Sequence, residues 1–248
     1  MAAVAIATAL LGSCSSDGSS ADPRVARSPS PAASQAFISG YPCPPLHDLH
    51  LPSDAGCASR VVGDGDGDGE RETLTVFAVL DRDDIPVRWY TYLSDSGATQ
   101  RLHAGARFSY PRAVGAADVD GDGHDEWFVK IADLASHGTN WRRLGFFVER
   151  DGRLVAVTEK GEPFAFNIGG TSRLGEGFSC EGSGFALLRA EAKNVANTRW
   201  RYAERSYAMV GRRVRFQARR VGLLRLVDYN DPALDRFYEL RCNELRAS

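Results

Sequence analysis

The chain has 248 residues and a formal net charge of −2; 43 % of its residues are hydrophobic and 25 % charged. That length supports one sizeable domain and is short for two. A balance so near neutral gives no bulk electrostatic reason to expect nucleic acid or a membrane surface as partner. Helix signals are sparse beside frequent short strand-like runs and Gly-containing turns, which points to an all-β domain.

Met1 to Ser13, MAAVAIATALLGS, is an apolar run too short to span a bilayer as a permanent helix. It closes on Leu11-Gly12-Ser13-Cys14. This ending resembles the lipobox of bacterial lipoproteins, an aliphatic residue and two small ones before a lipidated Cys. The resemblance implies a signal peptide over residues 1–13 and Cys14 as the acylated N-terminus. It further implies a protein that is exported and lipid-anchored to the outer face of the cell membrane. One feature departs from the pattern: no Lys or Arg precedes the apolar run. The next stretch, SSDGSSADPRVARSPSPAASQ, is rich in Ser, Pro and Ala and carries too little apolar surface to fold. It reads as a disordered tether over residues 14–36, followed by a single β-repeat domain over 37–248.

There are five cysteines: Cys14, Cys43, Cys57, Cys180 and Cys242. Lipidation of Cys14 leaves an even four, and export favours disulfides. Four cysteines allow three pairings. The reading prefers Cys43–Cys57, a short local loop, and Cys180–Cys242, which ties down the C-terminus. A zinc set of Cys43, His47, His50 and Cys57 is the rival, but its spacing is not that of a finger, and Pro44 and Pro45 bar a helix between the ligands.

The next element is an acidic loop. Asp64 to Glu72 reads DGDGDGERE, with acids at its first, third, fifth and ninth places: Asp64, Asp66, Asp68 and Glu72. Asp118 to Glu126, DVDGDGHDE, repeats the spacing with Asp118, Asp120, Asp122 and Glu126. Carboxylates so close repel one another unless a cation sits between them. A hard divalent cation wants six to eight oxygens with loose geometry, and the glycine at each sixth place, Gly69 and Gly123, supplies the bend. Each loop is therefore read as a structural Ca²⁺ site, up to two in all. Glu70 and His124 hold the seventh place, where a main-chain carbonyl serves. An EF-hand is excluded because the twelfth places are Thr75 and Val129, and because the exit segments ETLTVFAVL and EWFVKIADL have strand compositions.

After each loop the pieces correspond: strand, turn, aromatic-rich strand. In PVRWYTYL, Val87, Trp89 and Thr91 are expected on one face and Arg88, Tyr90 and Tyr92 on the other. GFFVER and RLVAVTE form a hairpin around Asp151-Gly152. The first Asp of the two loops is separated by 54 residues, Asp64 to Asp118, which makes this an internal repeat. A third unit, GFSCEGSGFALLRAEA, keeps a Gly-rich turn and an apolar strand but has no trio of acids; Cys180 stands where the loop would be. TRWRYAERSYAMV and RRVRFQARRVGLL read as two more strands with a turn near Gly211. Their arginines read as a solvated face, Arg213, Arg215 and Arg219 pointing one way and Val214 and Phe216 the other.

The pair VVGDGDGDGERETLTVF and AADVDGDGHDEWFVKI resembles FG-GAP or VCBS-type repeats, whose acidic loops join strands of a β-propeller blade in integrin α heads. The resemblance covers roughly residues 58–160. It implies a small or partial β-propeller-like repeat of antiparallel strands, calcium that braces the blade without doing chemistry, and a binding or adhesion role. The Phe-Gly and Gly-Ala-Pro signature is blurred, with PRAVGAA its nearest approach, and the folded region is short for the usual seven blades.

No G-x-S-x-G elbow or H-E-x-x-H motif is present, and His103 and His137 stand apart from one another. The expected function is a non-enzymatic surface module for binding a protein or glycan, or for envelope structure. It touches membrane only through its anchor, and nucleic acid is not expected as partner. The alternative is an exported hydrolase or lyase with a calcium-braced fold. A flat rim of Trp89, Trp141 or Trp200 would favour the binder; a pocket gathering His103, His137 or a free carboxylate would favour the enzyme.

Overall fold

The computed structural model describes residues 55–83, 86–102, 110–134, 141–227, 230–242 and 246–247. Cys14, the leader, the tether, Cys43, His47, His50, His103 and His137 lie outside the described residues, as does the Cys57 side chain. The described chain is all-β with antiparallel sheets, and its strands close neither a barrel nor a propeller.

Two antiparallel meanders come first. One consists of β1 (Ala55–Gly63), β2 (Glu72–Leu80), β3 (Pro86–Leu93) and β4 (Thr99–Leu102), hydrogen-bonded in that order. The other repeats it with β5 (Arg112–Ala117), β6 (Glu126–Asp133), β7 (Arg142–Arg150) and β8 (Arg153–Ala156). The β7–β8 turn is the expected Asp151-Gly152 pair, with φ of 51° and 70°. Both residues being left-handed is what a tight hairpin turn requires. Register repeats as well: Gly63 faces Glu72 and Ala117 faces Glu126, so in both meanders the ninth-place acid opens the outgoing strand.

The second meander continues into a larger sheet. A small hairpin, β9 (Thr158–Glu159) and β10 (Glu162–Pro163), leads to β11 (Ala165–Thr171), which pairs with the first half of β7. There follow β12 (Leu174–Cys180), β13 (Gly184–Ala192), β14 (Arg199–Val210) and β15 (Arg213–Arg225) as successive antiparallel neighbours. A short 3-10 helix, Pro232–Phe237, precedes β16 (Leu240–Arg241), which lies parallel to β12, and β17 (Arg246–Ala247), which pairs with β5.

Three apolar clusters hold these layers. Between the meanders, Val61, Leu74, Val76 and Trp89 meet Ala116, Trp127 and Val129. Strand β6 is covered on both sides, Trp127 and Val129 facing this cluster and Phe128 the next, which is why its sequence is a continuous apolar run. The second cluster is aromatic. Phe128, Phe146, Phe164, Phe166, Phe178, Phe185 and Tyr207 interlock, with neighbouring centroids from 4.6 Å for Phe166–Phe178 to 6.5 Å for Phe146–Phe164. Each buried ring contributes about 1.5–3 kcal/mol by burial, and good ring pairs add about 0.5–1.5 kcal/mol. The third cluster packs Leu188, Trp200 and Leu224 against Leu234 and Phe237 of the 3-10 helix. Cys180 and Cys242 form the expected disulfide, which fastens the end of β16 beside β12.

The strand faces bear on three of the sequence readings. Trp89 and Trp200 are core residues, 6 % and 0 % exposed, and form no binding rim; the Trp200 indole N–H donates to the Asn197 carbonyl at 2.6 Å. Arg213 and Arg215 do not share a face with Arg219. Arg215 faces Ala208 and Phe216 faces Tyr207, but Ala218 faces Ser206 and Arg219 faces Arg205. Gln217 is thus an extra residue, a bulge that reverses the alternation for everything after it. Val87, expected alongside Trp89 and Thr91, is 53 % exposed at the strand's open end, while Trp89, Thr91 and Leu93 are buried.

Candidate metal centres

The two acidic loops share most of their internal hydrogen bonds and part at the fifth-place N–H, which donates to the third-place Asp66 at 3.1 Å in the first loop and to the first-place Asp118 at 3.2 Å in the second. The first-place acids accept from the fourth- and sixth-place N–H groups: Asp64 from Gly67 at 2.8 Å and Gly69 at 3.1 Å, Asp118 from Gly121 at 2.7 Å and Gly123 at 3.0 Å. The fifth-place acids accept from the seventh N–H: Asp68 from Glu70 and Asp122 from His124. The ninth-place acids reach back to the second N–H: Glu72 accepts from Gly65 at 2.6 Å, Glu126 from Val119 at 2.8 Å. The fourth- and sixth-place glycines all have positive φ, 76° and 90° in the first loop and 79° and 90° in the second, which a side chain would strain.

This wrapping gathers carboxylate oxygens. In the first loop those of Asp64, Asp66, Asp68 and Glu72 lie within 4.8 Å of one another; in the second, those of Asp118, Asp120 and Glu126 do. Either group can hold a metal ion. Asp122 stands outside its group of three. Glu70 and His124 sit at the seventh places, Glu70 with an exposed side chain. The His124 ring lies over the first loop, so close that a Cβ at Gly67 would be 2.9 Å from it.

The second loop is the more buried, and its electrostatics show it. Asp120 Oδ1 is buried without a hydrogen-bond partner. Burial, then the charges of Asp122 and Asp118, push the Asp120 carboxyl up to about 6. Burial pushes Glu126, 2 % exposed, up to about 9, and Asp120, Asp122 and Asp118 add to it against the Val119 hydrogen bond. Glu72 of the first loop is raised for the same reasons, burial first. Each loop therefore favours a positive charge, and a proton is the smallest one available.

Two contributors were not legible in the sequence. Asp125, at the eighth place of the second loop and 7 % exposed, accepts from the Asp64 N–H at 2.9 Å, and its own N–H donates to the Asp64 carbonyl at 2.6 Å. The loops are thus bonded directly to each other. Glu149 on β7 is 5 % exposed, and its Oε2 has no partner. Burial, then Glu72, Asp66 and Asp95, push it up to about 7. A Cβ at Gly65 would sit 2.7 Å from both Glu149 Oε2 and the unpartnered Trp127 Nε1, so Glu149 stands directly behind the first loop.

No protein-family model matches the chain, and no curated protein matches it.

The third Gly-rich turn completes the row. A Cβ at Gly121 would lie 3.4 Å from the Gly182 carbonyl, so the turn after Cys180 flanks the second loop. First loop, second loop and disulfide-bearing turn stand side by side along one edge of the fold.

Proposed function

We propose that this chain is an exported, lipid-anchored surface module whose β-repeats are braced by calcium. The anchor is Cys14, the calcium sites are the loops at Asp64–Glu72 and Asp118–Glu126, and the role is binding a protein or glycan, or envelope structure, without catalysis. The two meanders would be successive blades of a partial propeller-like array. The observation that carries this reading is the shared wrapping of the two loops, first-place acid to the fourth and sixth N–H and ninth-place acid to the second, around converging carboxylates that form no ion pair among the described residues. Flexible all-oxygen donors at several places of a short loop suit Ca²⁺ better than Mg²⁺, which demands near-ideal octahedral geometry, or than zinc, which prefers N and S ligands.

The test is thermal unfolding of the oxidised protein in excess chelator, in millimolar magnesium and in millimolar calcium. Extracellular modules bind calcium with Kd of about 0.1–1 mM, so ~1 mM calcium should add about 0.4–1.4 kcal/mol per site. A midpoint raised by calcium and not by magnesium is expected. No calcium response at either loop would remove the proposal.

A further inference from the structure

The bulge at Gln217 has built a second candidate site, on the sheet face beyond the aromatic cluster. In one row of that face Leu187 on β13, Arg205 on β14 and Arg219 on β15 stand opposite each other; in the adjacent row stand Arg189, Ala203 and Val221. Ala203 is the small residue among larger ones. Around it lies a hollow of about 420 Å³, to which Arg189, Arg205 and Arg219 contribute, along with Asn167 and Glu176. This volume falls within the roughly 300–1,000 Å³ typical of small-molecule sites.

The hollow has unmet needs. Arg205 and Arg219 are directly opposite like charges, an arrangement that weakens a strand pair. Arg219 has no acidic partner among the described residues. Asn167 carries a buried side-chain oxygen with no hydrogen-bond donor. Glu176, held by Arg189 at 2.9 Å, keeps acceptor capacity toward the same space. Leu187, partly buried against the aromatic cluster, and Ala203 give an apolar floor.

We propose that this hollow binds an acidic sugar, a ring carrying a carboxylate as well as hydroxyls. The Arg205–Arg219 pair takes the carboxylate, for which a guanidinium fork is geometrically matched. Asn167 and Glu176 accept from ring hydroxyls, and the C–H face of the ring covers Ala203 and Leu187. A bare oxyanion would leave the Asn167 oxygen unsatisfied, and a neutral sugar would leave the arginine pair uncompensated. This deepens the reading of the chain as a binding module and rests on that reading, though not on its calcium.

The experiment is calorimetric titration of the full oxidised chain with glucuronate, glucose and inorganic phosphate, each in calcium and in chelator. Glucuronate is expected to bind at least about tenfold tighter than either comparator, since each lacks one set of charge-assisted or hydroxyl contacts. Arg219→Ala, on an exposed strand, should weaken glucuronate about tenfold; Ala203→Leu should abolish binding by filling the hollow with every arginine kept. Arg215→Ala, on the opposite face, should change nothing. Equal affinity for glucose or for phosphate overturns the proposal, and so does wild-type binding by both Arg219→Ala and Ala203→Leu. If calcium raises the unfolding midpoint but glucuronate does not bind, this inference fails alone. If glucuronate binds but calcium has no effect, only the metal assignment fails.

Discussion

The two acidic loops have the same acids at the same first, third, fifth and ninth places and nearly the same internal hydrogen bonds, yet they are not equivalent. In the first, Asp66 and Asp68 are exposed and four carboxylates converge; in the second, three converge, Asp120 has a buried oxygen without a partner, and Glu126 is pushed up to about 9. Position in the row explains the difference. The second loop stands between the first loop, where its own His124 ring covers Gly67, and the Gly182 carbonyl on the other side. A local motif sets which atoms wrap the site, while its neighbours set the dielectric that those atoms feel.

The largest test concerns the third member of the row, which carries a disulfide instead of acids. Paired Cys180→Ser and Cys242→Ser changes open a link across 62 residues. On the chain-entropy account this should cost about 4 kcal/mol in denaturant unfolding. The loss should be the same in calcium and in chelator; a calcium-dependent loss would mean that the disulfide shapes the second loop.

Next comes pH. Folded Glu126 keeps its proton up to about 9, whereas the unfolded chain releases it near the ordinary glutamate value of 4.5. Between those values the folded state binds more protons, so metal-free stability should be greatest at the acid end and fall as pH rises, by at most about 1.4 kcal/mol per pH unit for each such group. On the proposed reading calcium takes the place of the proton, so its stabilising effect should grow over the same window. Glu126→Gln should flatten the metal-free slope far more than Glu72→Gln. Equal flattening by the two variants would refute the asymmetry between the loops.

Smaller effects separate the loops further. Asp120→Ala and Asp66→Ala should each remove one calcium increment of about 0.4–1.4 kcal/mol, read from melting with and without calcium. In chelator, Asp120→Ala should also raise the midpoint, because it deletes a carboxylate that has one buried unpartnered oxygen and is repelled by Asp122 and Asp118, whereas Asp66→Ala should leave it nearly unchanged. If both variants keep the full calcium response, the ligand assignment is wrong. Last, His124→Ala should cost within about 0.5 kcal/mol. A double-mutant cycle with Asp66→Ala would show whether the ring couples the two loops.

Local patterns in the sequence carried much of the fold. Acid spacing located both loops, β-branched and aromatic runs located β2, β3 and β6, and Asp151-Gly152 located a hairpin. Cys180 and Cys242 paired as the C-terminal position of Cys242 led one to expect. Strands β5 and β11, RAVGAA and AFNIGGT, were harder to see because small residues dominate them. Their function is close approach: a Cβ at Gly63 on β1 would lie 2.6 Å from the Ala116 Cβ on β5. Glu149 is the next-to-last residue of β7, and Asp125 follows three other acids in its loop, so neither stands out by position. Only tertiary packing buries them, and no local pattern encodes which strand will cover a given residue. The bulge at Gln217 was hidden because alternation counted along one strand cannot register an extra residue that only its partner reveals.

That bulge has an evolutionary consequence. A relative lacking the residue at 217 would keep Arg219 opposite Arg205 and on the same face, because every pair after the bulge would stand in the register it has now. A relative that kept the residue but paired it opposite Ser206 would turn Arg219 and everything after it to the other side without changing any side chain. The charge of that surface would thus follow the pairing of the strands more than their residues, and two identical stretches could present opposite chemistries.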